Sequence, residues 1–185
     1  MTGAVFLASG KSARFGEEDK LLYRVEGIPM AERVFRALPP EISGVVVTES
    51  AEVAALAKKH KNLTVIPNPG GAEDVSVTIR RGVESLPPEA DGALFFVCDQ
   101  PHLTQESVRR IISAFEKDPS YIYVPSAAGR SGNPCLFPRA FFPALCALPF
   151  DRGGKELVRQ NPAAVRYVEL DNPRELEDMD YKPRR

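Results

Sequence analysis

Apolar residues fall in short runs along the chain, and each run ends at polar residues, glycine or proline. Residues 93–98 form the strongest run, and Asp99 follows it directly. Apolar runs of this length, without a polar alternation, are typical of strands that are buried on both faces of a sheet. The pattern predicts strands at residues 3–8, 44–48, 63–66, 93–98, 121–124 and 165–170.

Between these runs, apolar residues recur at helical spacing. Met30, Val34 and Leu38 show this spacing before Pro39, and Thr104 is a favourable N-cap for the helix that follows it. Strands that alternate with helices in this way predict an α/β fold, with a mainly parallel sheet covered by helices on both faces. The predicted helices are 29–38, 51–59, 74–86, 104–115, 141–148 and 154–160, with a short strand and turn over 21–28 and a short last helix from residue 173.

Composition narrows the class of protein. The chain has 185 residues, of which 43% are hydrophobic and 26% charged, and these values are ordinary for a globular protein. A chain of this length supports one core, so we expect a single domain over residues 1–185. The 17 prolines accompany only 13 glycines without a repeat, which excludes a collagen-like or disordered chain. The net charge of −1 offers no basic excess for nucleic acid.

The termini and the cysteines indicate the compartment. The segment that starts at Met1 lacks the basic stretch of a signal peptide, and no apolar run approaches the ~18 residues of a membrane span. Cys98, Cys135 and Cys146 are an odd number of cysteines in apolar surroundings. We therefore expect a cytoplasmic protein with reduced, buried thiols and no membrane partner.

Polar clusters follow three of the predicted strands. They cover residues 9–20 after the first strand, 68–76 after the third and 99–101 after the fourth. Parallel α/β sheets bind their ligands beyond the carboxyl ends of the strands. The three clusters therefore predict one site at a single edge of the sheet.

The first cluster has the composition of a phosphate-binding loop. Gly10 and Gly16 allow a close approach of the backbone, and Arg14 and Lys20 add positive charge. The spacing matches neither a P-loop, which would need glycine where Val5 stands, nor the glycine pattern of dinucleotide-binding folds. A solvated loop between a strand and a helix is the alternative interpretation.

Several motifs together resemble one family. Residues 8–20 are similar to the L-A-[AG]-G-x-S-x-R-[MF]-G-x-x-K signature of MobA-like nucleotidyltransferases, most closely to molybdenum cofactor cytidylyltransferases and accessory proteins of molybdenum hydroxylases. The resemblance extends along most of the chain. Further similar segments are 74–82 (G-L-S-x-S-L-R-x-G), 98–101 (D-[MQ]-P), 129–134 (G-R-x-G-[NH]-P), 151–154 (G-D-x-G) and 178–180 (D-I-D).

The resemblance implies a three-layer Rossmann-like nucleotidyltransferase fold and a reaction. In that reaction the terminal phosphate of molybdopterin, or of molybdenum cofactor, attacks the α-phosphorus of CTP or GTP and releases pyrophosphate. Mg²⁺ needs few carboxylates because phosphate and water supply its other ligands. Asp99 ends a buried strand, which is a rigid place to hold a metal, and Asp180 is the expected second carboxylate, with Asp178 less favoured.

The same resemblance assigns the remaining site residues. Catalytic roles fall to Lys20, Arg14 and Asp99, and Lys11 is expected to be a solvated surface lysine. The helix that follows Gly71 offers Ser76 and Thr78, for which N-capping is an equal alternative. The implied nucleotide contacts are Ala8, Ser9, Gly10, Ser12, Arg14, Lys20, Ser76 and Thr78, and the implied contacts with the phosphorylated substrate are Gln100, Pro101, Gly132, Asn133, Pro134 and Asp151, with Lys155 nearby.

Departures from the family pattern keep two alternatives open. Ser9 replaces a small apolar residue, Asp74 replaces a glycine, and the acidic segment 17–19 carries one extra residue before Lys20. A protein with these changes could carry and insert the cofactor for a molybdenum hydroxylase without turnover. It could also be a cytidylyltransferase or guanylyltransferase for another phosphorylated substrate, because residues 70–77 faintly resemble methylerythritol phosphate cytidylyltransferases.

Three prolines lie inside the predicted site. Pro69, Pro101 and Pro134 restrict the backbone of the residue before each of them, which is Asn68, Gln100 and Asn133 respectively. We therefore expect these three turns to line one cleft.

Overall fold

A computed structural model of the chain describes residues 1–9, 19–71 and 74–180. Its main feature is an eight-stranded sheet in the order β10-β7-β9-β6-β1-β4-β5, with β8 paired to β7, and β2 and β3 form a separate hairpin. The strands are β1 (Thr2–Leu7), β2 (Arg24–Val25), β3 (Ile28–Pro29), β4 (Gly44–Thr48), β5 (Leu63–Pro67), β6 (Gly92–Val97), β7 (Ile122–Ala127), β8 (Arg130–Ser131), β9 (Cys135–Pro138) and β10 (Val165–Glu169).

The direction of the strands brings several chain segments to one edge. Strands β5, β4, β1 and β6 are parallel to one another, and β10 is parallel to β7. Strand β9 lies between β6 and β7 and is antiparallel to both, with Cys135 opposite Phe95 and Pro138 opposite Gly92. The residues that precede β9 therefore meet the residues that follow β6, and both belong to the same edge of the sheet.

Helices cover both faces of the sheet, so the predicted three-layer α/β fold is confirmed. One face packs against α1, α2 and α4, and the other packs against α3, α5 and α6. Strand β1 shows how the layers form, because Phe6 belongs to the first core and its neighbour Val5 to the second. The helices are α1 (Met30–Arg36), α2 (Ala51–Ala57), α3 (Val75–Glu84), α4 (Gln105–Lys117), α5 (Phe142–Cys146) and α6 (Lys155–Gln160).

Close packing fixes α3 against the centre of the sheet. A Cβ atom at Gly82 would lie 2.3 Å from the Cγ1 atom of Val5, so only glycine allows this approach. On the opposite face, the ring of Phe6 stacks on that of Phe96 with 4.5 Å between the centroids. The first turn of α3 is therefore held beside the carboxyl end of β1.

The structure differs from the prediction around residue 21. Lys20–Leu22 form a 3-10 turn, and the following hairpin places Pro29 in β3, one residue before α1. The segment predicted as one helix over 141–148 divides into the 3-10 turn Arg139–Phe141 and α5. Among the residues that the structure describes, no helix is long and apolar enough to span a membrane.

Candidate active site

A lysine between two carboxylates lies at the carboxyl edge of the sheet. The Nζ atom of Lys20 is 2.9 Å from an Oδ2 atom of Asp99 and 2.9 Å from the Oδ1 atom of Asp180. These residues come from the segment after β1, the end of β6 and the carboxyl-terminal tail. The structure therefore joins three of the residues that the sequence nominated for one site.

Asp19, which directly precedes Lys20, has a structural function. Asp19 caps the 3-10 turn, since its side chain accepts a hydrogen bond of 2.9 Å from the backbone N–H of Leu21. This cap fixes the backbone of the turn that presents Lys20. Partial burial alone would lower the pKa of the Lys20 ammonium, but the hydrogen bonds and negative charges of Asp180 and Asp99 raise it. Lys20 is therefore held as a cation.

The tail that carries Asp180 is anchored by a residue that the sequence analysis missed. The buried Glu175 accepts hydrogen bonds from the N–H (2.9 Å) and the hydroxyl (2.8 Å) of Thr104, the N-cap of α4. The N–H of Met179 then donates to the carbonyl oxygen of Asp99 at 2.9 Å. No local pattern could reveal Glu175, because its partner lies 71 positions away in the sequence.

Only one of the two carboxylate oxygens of Asp99 accepts the hydrogen bond from Lys20. Its Oδ1 atom is buried and has no hydrogen-bond partner within the described residues, and the same holds for Asn68 Oδ1 and Gln100 Oε1. Of these three side chains, only that of Asp99 lines the neighbouring cleft. A buried acceptor without a donor is unfavourable unless a ligand satisfies it, so this oxygen is a candidate position for a ligand.

The cleft has a volume of about 280 Å³ and extends from the edge of the sheet down between the sheet, α3 and α5. Its polar residues are Asp99, Asn133, Lys155 and Asp178, together with the backbone of Gly153 and Gly154. Burial and the neighbouring charge of Asp99 raise the pKa of Asp178, which accepts a 2.8 Å hydrogen bond from the amide of Gln100. The apolar residues of the cleft are Leu7, Val75, Ile79, Phe95, Val97, Cys135, Phe137 and Leu145.

A buried network occupies the polar residues on the other side of the site. The amide nitrogen of Asn68 donates to the hydroxyls of Ser9 (3.0 Å) and Thr78 (2.9 Å), and the Ser9 hydroxyl donates to the carbonyl oxygen of Val47. The N–H of Ala8 donates to the same carbonyl oxygen. Ser9, Asn68 and Thr78 are at most 6% exposed. Their side chains therefore hold β1, β4, β5 and α3 together, and their predicted contact with nucleotide stays a prediction.

Asp74 connects the start of α3 to a second loop. Its carboxylate accepts hydrogen bonds from the N–H (2.8 Å) and the hydroxyl (2.6 Å) of Ser76 and from the N–H of Asp151 (2.9 Å). These donors lower the pKa of the Asp74 carboxyl. Asp74, rather than Ser76 or Thr78, is thus the N-cap of α3. Asp151 joins this link through its backbone, and its side chain does not line the cleft.

The remaining residues predicted to contact the phosphorylated substrate are mostly part of the scaffold. Gln100, Pro101, Gly132 and Pro134 are buried, and Gly132 packs against Leu176. The expectation that the turns at Asn68, Gln100 and Asn133 all line one cleft is therefore wrong in part, because only Asn133 does so. The reason is that Asn68 and Gln100 turn inward to hydrogen bonds within the fold.

Part of the predicted phosphate loop lies outside the described residues. This part includes Gly10, Lys11, Ser12, Arg14 and Gly16, whose assignments stay predictions. Among the described residues, no group of three or more acidic, histidine or cysteine side chains could hold a metal ion. Asp99 and Asp180 are thus two carboxylates of one small cluster, which a further ligand would have to complete.

The cysteines do not contribute a nucleophile to this site. All three are free, Cys98 and Cys135 are buried, and Cys146 is half-buried. Burial raises the pKa of the Cys135 thiol to about 12, although this thiol lines the cleft. The prediction of buried thiols is confirmed for Cys98 and Cys135, and a thiol with so high a pKa is inert at neutral pH.

Known proteins resemble the chain over nearly its whole length. Molybdenum cofactor guanylyltransferase of Cupriavidus metallidurans is 24% identical over 92% of this chain and 84% of its own. The structure of Rv0371c from Mycobacterium tuberculosis has a TM-score of 0.79 and 26% identity over 98% of this chain and 93% of its own. A nucleotidyl transferase from Methanothermobacter has a TM-score of 0.82 and 22% identity over 98% and 92%, respectively. The MobA-like NTP transferase domain matches residues 4–165, so the chain belongs to this family and is a nucleotidyltransferase.

Proposed function

We propose that the protein transfers a nucleotidyl group from CTP or GTP to the terminal phosphate of molybdopterin or molybdenum cofactor. The observation that carries the proposal is the convergence of Lys20, Asp99 and Asp180 at the carboxyl edge of the sheet, beside a cleft for a second substrate. The names of the curated relatives supply the class of acceptor. The motifs of the chain favour CTP, whereas those relatives are guanylyltransferases, so the experiment below includes both nucleotides.

In the proposed reaction, a phosphate oxygen of the acceptor forms a bond to the α-phosphorus of the nucleotide. The bond between that phosphorus and the oxygen bridging to the β-phosphate breaks, and pyrophosphate leaves with the electron pair. Transfer of this kind depends on positioning and on neutralising the charge that develops on the leaving group. Lys20 is suited to that task because it is a held cation at the edge where the phosphates would lie.

The donor set fits a divalent cation. Asp99 has a buried oxygen without a hydrogen-bond partner among the described residues, and Asp180 contributes a second carboxylate that is close to the same lysine. Mg²⁺ is commonly held by one or two carboxylates and takes its other ligands from phosphate and water. When bound, such an ion would neutralise phosphate charge and align the triphosphate. Asp99 and Asp180 would hold it.

The test measures pyrophosphate release by the purified protein with molybdopterin, Mg²⁺ and either CTP or GTP. We expect release with one of the two nucleotides, and loss of release when molybdopterin is omitted or Mg²⁺ is removed by a chelator. A parallel reaction with methylerythritol phosphate as acceptor should stay at background. Turnover with methylerythritol phosphate, and none with molybdopterin, would instead support the alternative acceptor.

The carrier hypothesis predicts a different outcome of the same experiment. A protein that only carries cofactor would bind molybdopterin and release no pyrophosphate with either nucleotide. Binding is measured separately by isothermal titration, so a protein that binds but does not turn over is distinguished from an inactive preparation. That result would contradict the proposed transferase reaction.

A further inference from the structure

The floor of the cleft is apolar although its mouth is polar. Its deep part lies between the sheet and α3, where Ile79, Phe95, Phe137 and Leu145 meet. An apolar protein cavity of ~150 Å³ is large enough to admit benzene. A cleft of about 280 Å³ therefore has room for a flat group of about two fused rings.

Hydroxyl groups would be unfavourable on this floor. A polar group that leaves water for an apolar surface without a new hydrogen bond costs ~1–3 kcal/mol. A polyol phosphate carries several such groups, whereas both faces of a planar ring are apolar. The floor therefore favours a ring over a sugar or polyol.

Among the residues that the structure describes, Lys155 is the one cation in the lining of the cleft. Lys155 is the first residue of α6, and among the residues that the structure describes it has no hydrogen bond and no ion pair. It lines the cleft, and it is close enough to Cys135 for its charge to oppose the rise in the pKa of that thiol that burial causes. Its ammonium is thus directed toward the cleft and is available to an anion.

The two described carboxylates that line the cleft have partners other than Lys155. Asp99 is paired with Lys20, and Asp178 accepts a hydrogen bond from Gln100 rather than from Lys155. Asp99 lines the same cleft as Lys155 and contacts Lys20, so an anion bound by Lys155 would share this carboxylate as a neighbour with the proposed triphosphate position.

We propose that Lys155 is the residue that selects the acceptor: its ammonium holds the acceptor phosphate while a flat ring attached to that phosphate lies on the apolar floor. This inference rests on the proposed transferase function and adds to it the residue and the surface that discriminate between acceptors. The atoms of the transfer itself are those already described. Lys155 is a specificity-determining residue here, and Lys20 serves the nucleotide.

The probe for this site is 1-naphthyl phosphate, which is a flat fused bicycle with one phosphate group. Its fluorescence anisotropy reports binding directly, and the protein has no tryptophan whose emission would interfere. We expect the wild-type protein to bind this probe more tightly than glycerol 3-phosphate, which has the phosphate without the ring. Equal affinity for both compounds, or no binding of the probe, would overturn the proposal.

Substitutions then test separately the contribution of the Lys155 charge and that of the space for the ring. Lys155→Met should weaken binding of the probe by about tenfold, since one charge-assisted hydrogen bond is lost, and Lys155→Arg should restore most of it. Arg159→Met is the matched control, because Arg159 lies on the same helix but is 75% exposed and pairs with Glu156. Val75→Phe should reduce the affinity for the probe by filling the cleft, with folding checked by circular dichroism. Unchanged affinity in Lys155→Met would contradict the assignment.

Kinetics distinguish this proposal from the proposed function. If pyrophosphate is released, Lys155→Met should raise KM for molybdopterin about tenfold and leave KM for the nucleotide unchanged. A normal KM for molybdopterin in that variant would disprove the inference and leave the transferase intact. If no pyrophosphate is released at all, binding of 1-naphthyl phosphate that depends on Lys155 would still support the acceptor site.

Discussion

The two halves of the carboxyl edge of the sheet use polar residues in opposite ways. After β1 and β5, Ser9 and Asn68 turn inward, and the amide of Asn68 donates hydrogen bonds to the hydroxyls of Ser9 and Thr78. After β6, Asp99 faces a cleft with one oxygen still unpartnered within the described residues, and Lys155 lines the same cleft. A polar residue that follows a buried strand is therefore not a ligand by position alone.

The difference between the halves has a physical basis in hydrogen bonding. In the first half, one amide group donates both of its hydrogens to hydroxyls on two other chain segments. Such a network gives the loops a fixed position at the cost of leaving these donors unavailable to a ligand. In the second half, charged groups remain with incomplete coordination, which is the condition that substrate or metal binding can relieve.

The largest expected effect comes from Asp99→Asn, which keeps the shape of the side chain and removes its charge. We expect kcat for pyrophosphate release to fall by about 10²- to 10³-fold, because preorganised charge supplies much of the barrier reduction in phosphoryl transfer. Asp91→Asn is the control, since Asp91 is exposed beside the amino terminus at the opposite end of β6. A kcat within threefold of wild type would show that Asp99 has no part in the reaction. The polar residues of the second half would then be structural, as those of the first half are.

Much of the fold follows from local pattern, whereas only part of the site does. The apolar run at residues 93–98 predicts β6 within one residue at each end, because burial on both faces demands continuous apolar side chains. The antiparallel insertion of β9 has no such signal, since strand direction depends on long-range pairing. The spacing of apolar residues indicates neither the order of the strands in the sheet nor the position of residues 136–137, which lie in β9.

The site shows the same division. The loop motif and the aspartate after β6 nominate Lys20 and Asp99, and the structure brings them together. The direction in which Asn68 points could not be predicted, because a buried amide and a ligand-binding amide have the same sequence context. The departures at Ser9 and Asp74 form hydrogen bonds within the fold, with Asn68 and Asp151 respectively, and the alternatives that they keep open stay predictions. The single-domain boundary and the assigned roles stay predictions.

An intermediate effect, on stability, is expected for Asn68→Ala. The substitution removes the donor to two buried hydroxyls, and we expect a loss of about 2 kcal/mol in the free energy of unfolding. For a chain of this size that loss lowers Tm by about 4–8 °C. Differential scanning calorimetry measures the change.

A double-mutant cycle tests whether Asn68 acts through this network. Thr78→Val removes one of the two hydroxyls, so the double variant Asn68→Ala/Thr78→Val should lose less than the sum of the single variants, by about 0.5 kcal/mol or more. Additive losses would mean that the two side chains are energetically independent. The first half of the edge would then lack the cooperative network that distinguishes it from the second.

The smallest effect concerns Asp178 and depends on pH. Burial and the charge of Asp99 raise the pKa of this carboxyl above its value of 3.8 in the unfolded chain, so its ionisation disfavours the native state at neutral pH. The native state therefore loses stability as pH rises through this raised pKa, and Asp178→Asn, which never ionises, should be more stable than wild type at pH 7. The gain should stay below ~1 kcal/mol, because the residue is partly exposed and solvent screens its charge. It should shrink as the pH falls toward 4, where the wild-type carboxyl is also neutral. Thermal unfolding of both proteins from pH 4 to pH 7 measures the difference, and a variant less stable than wild type at pH 7 would show that the cleft favours the ionised form.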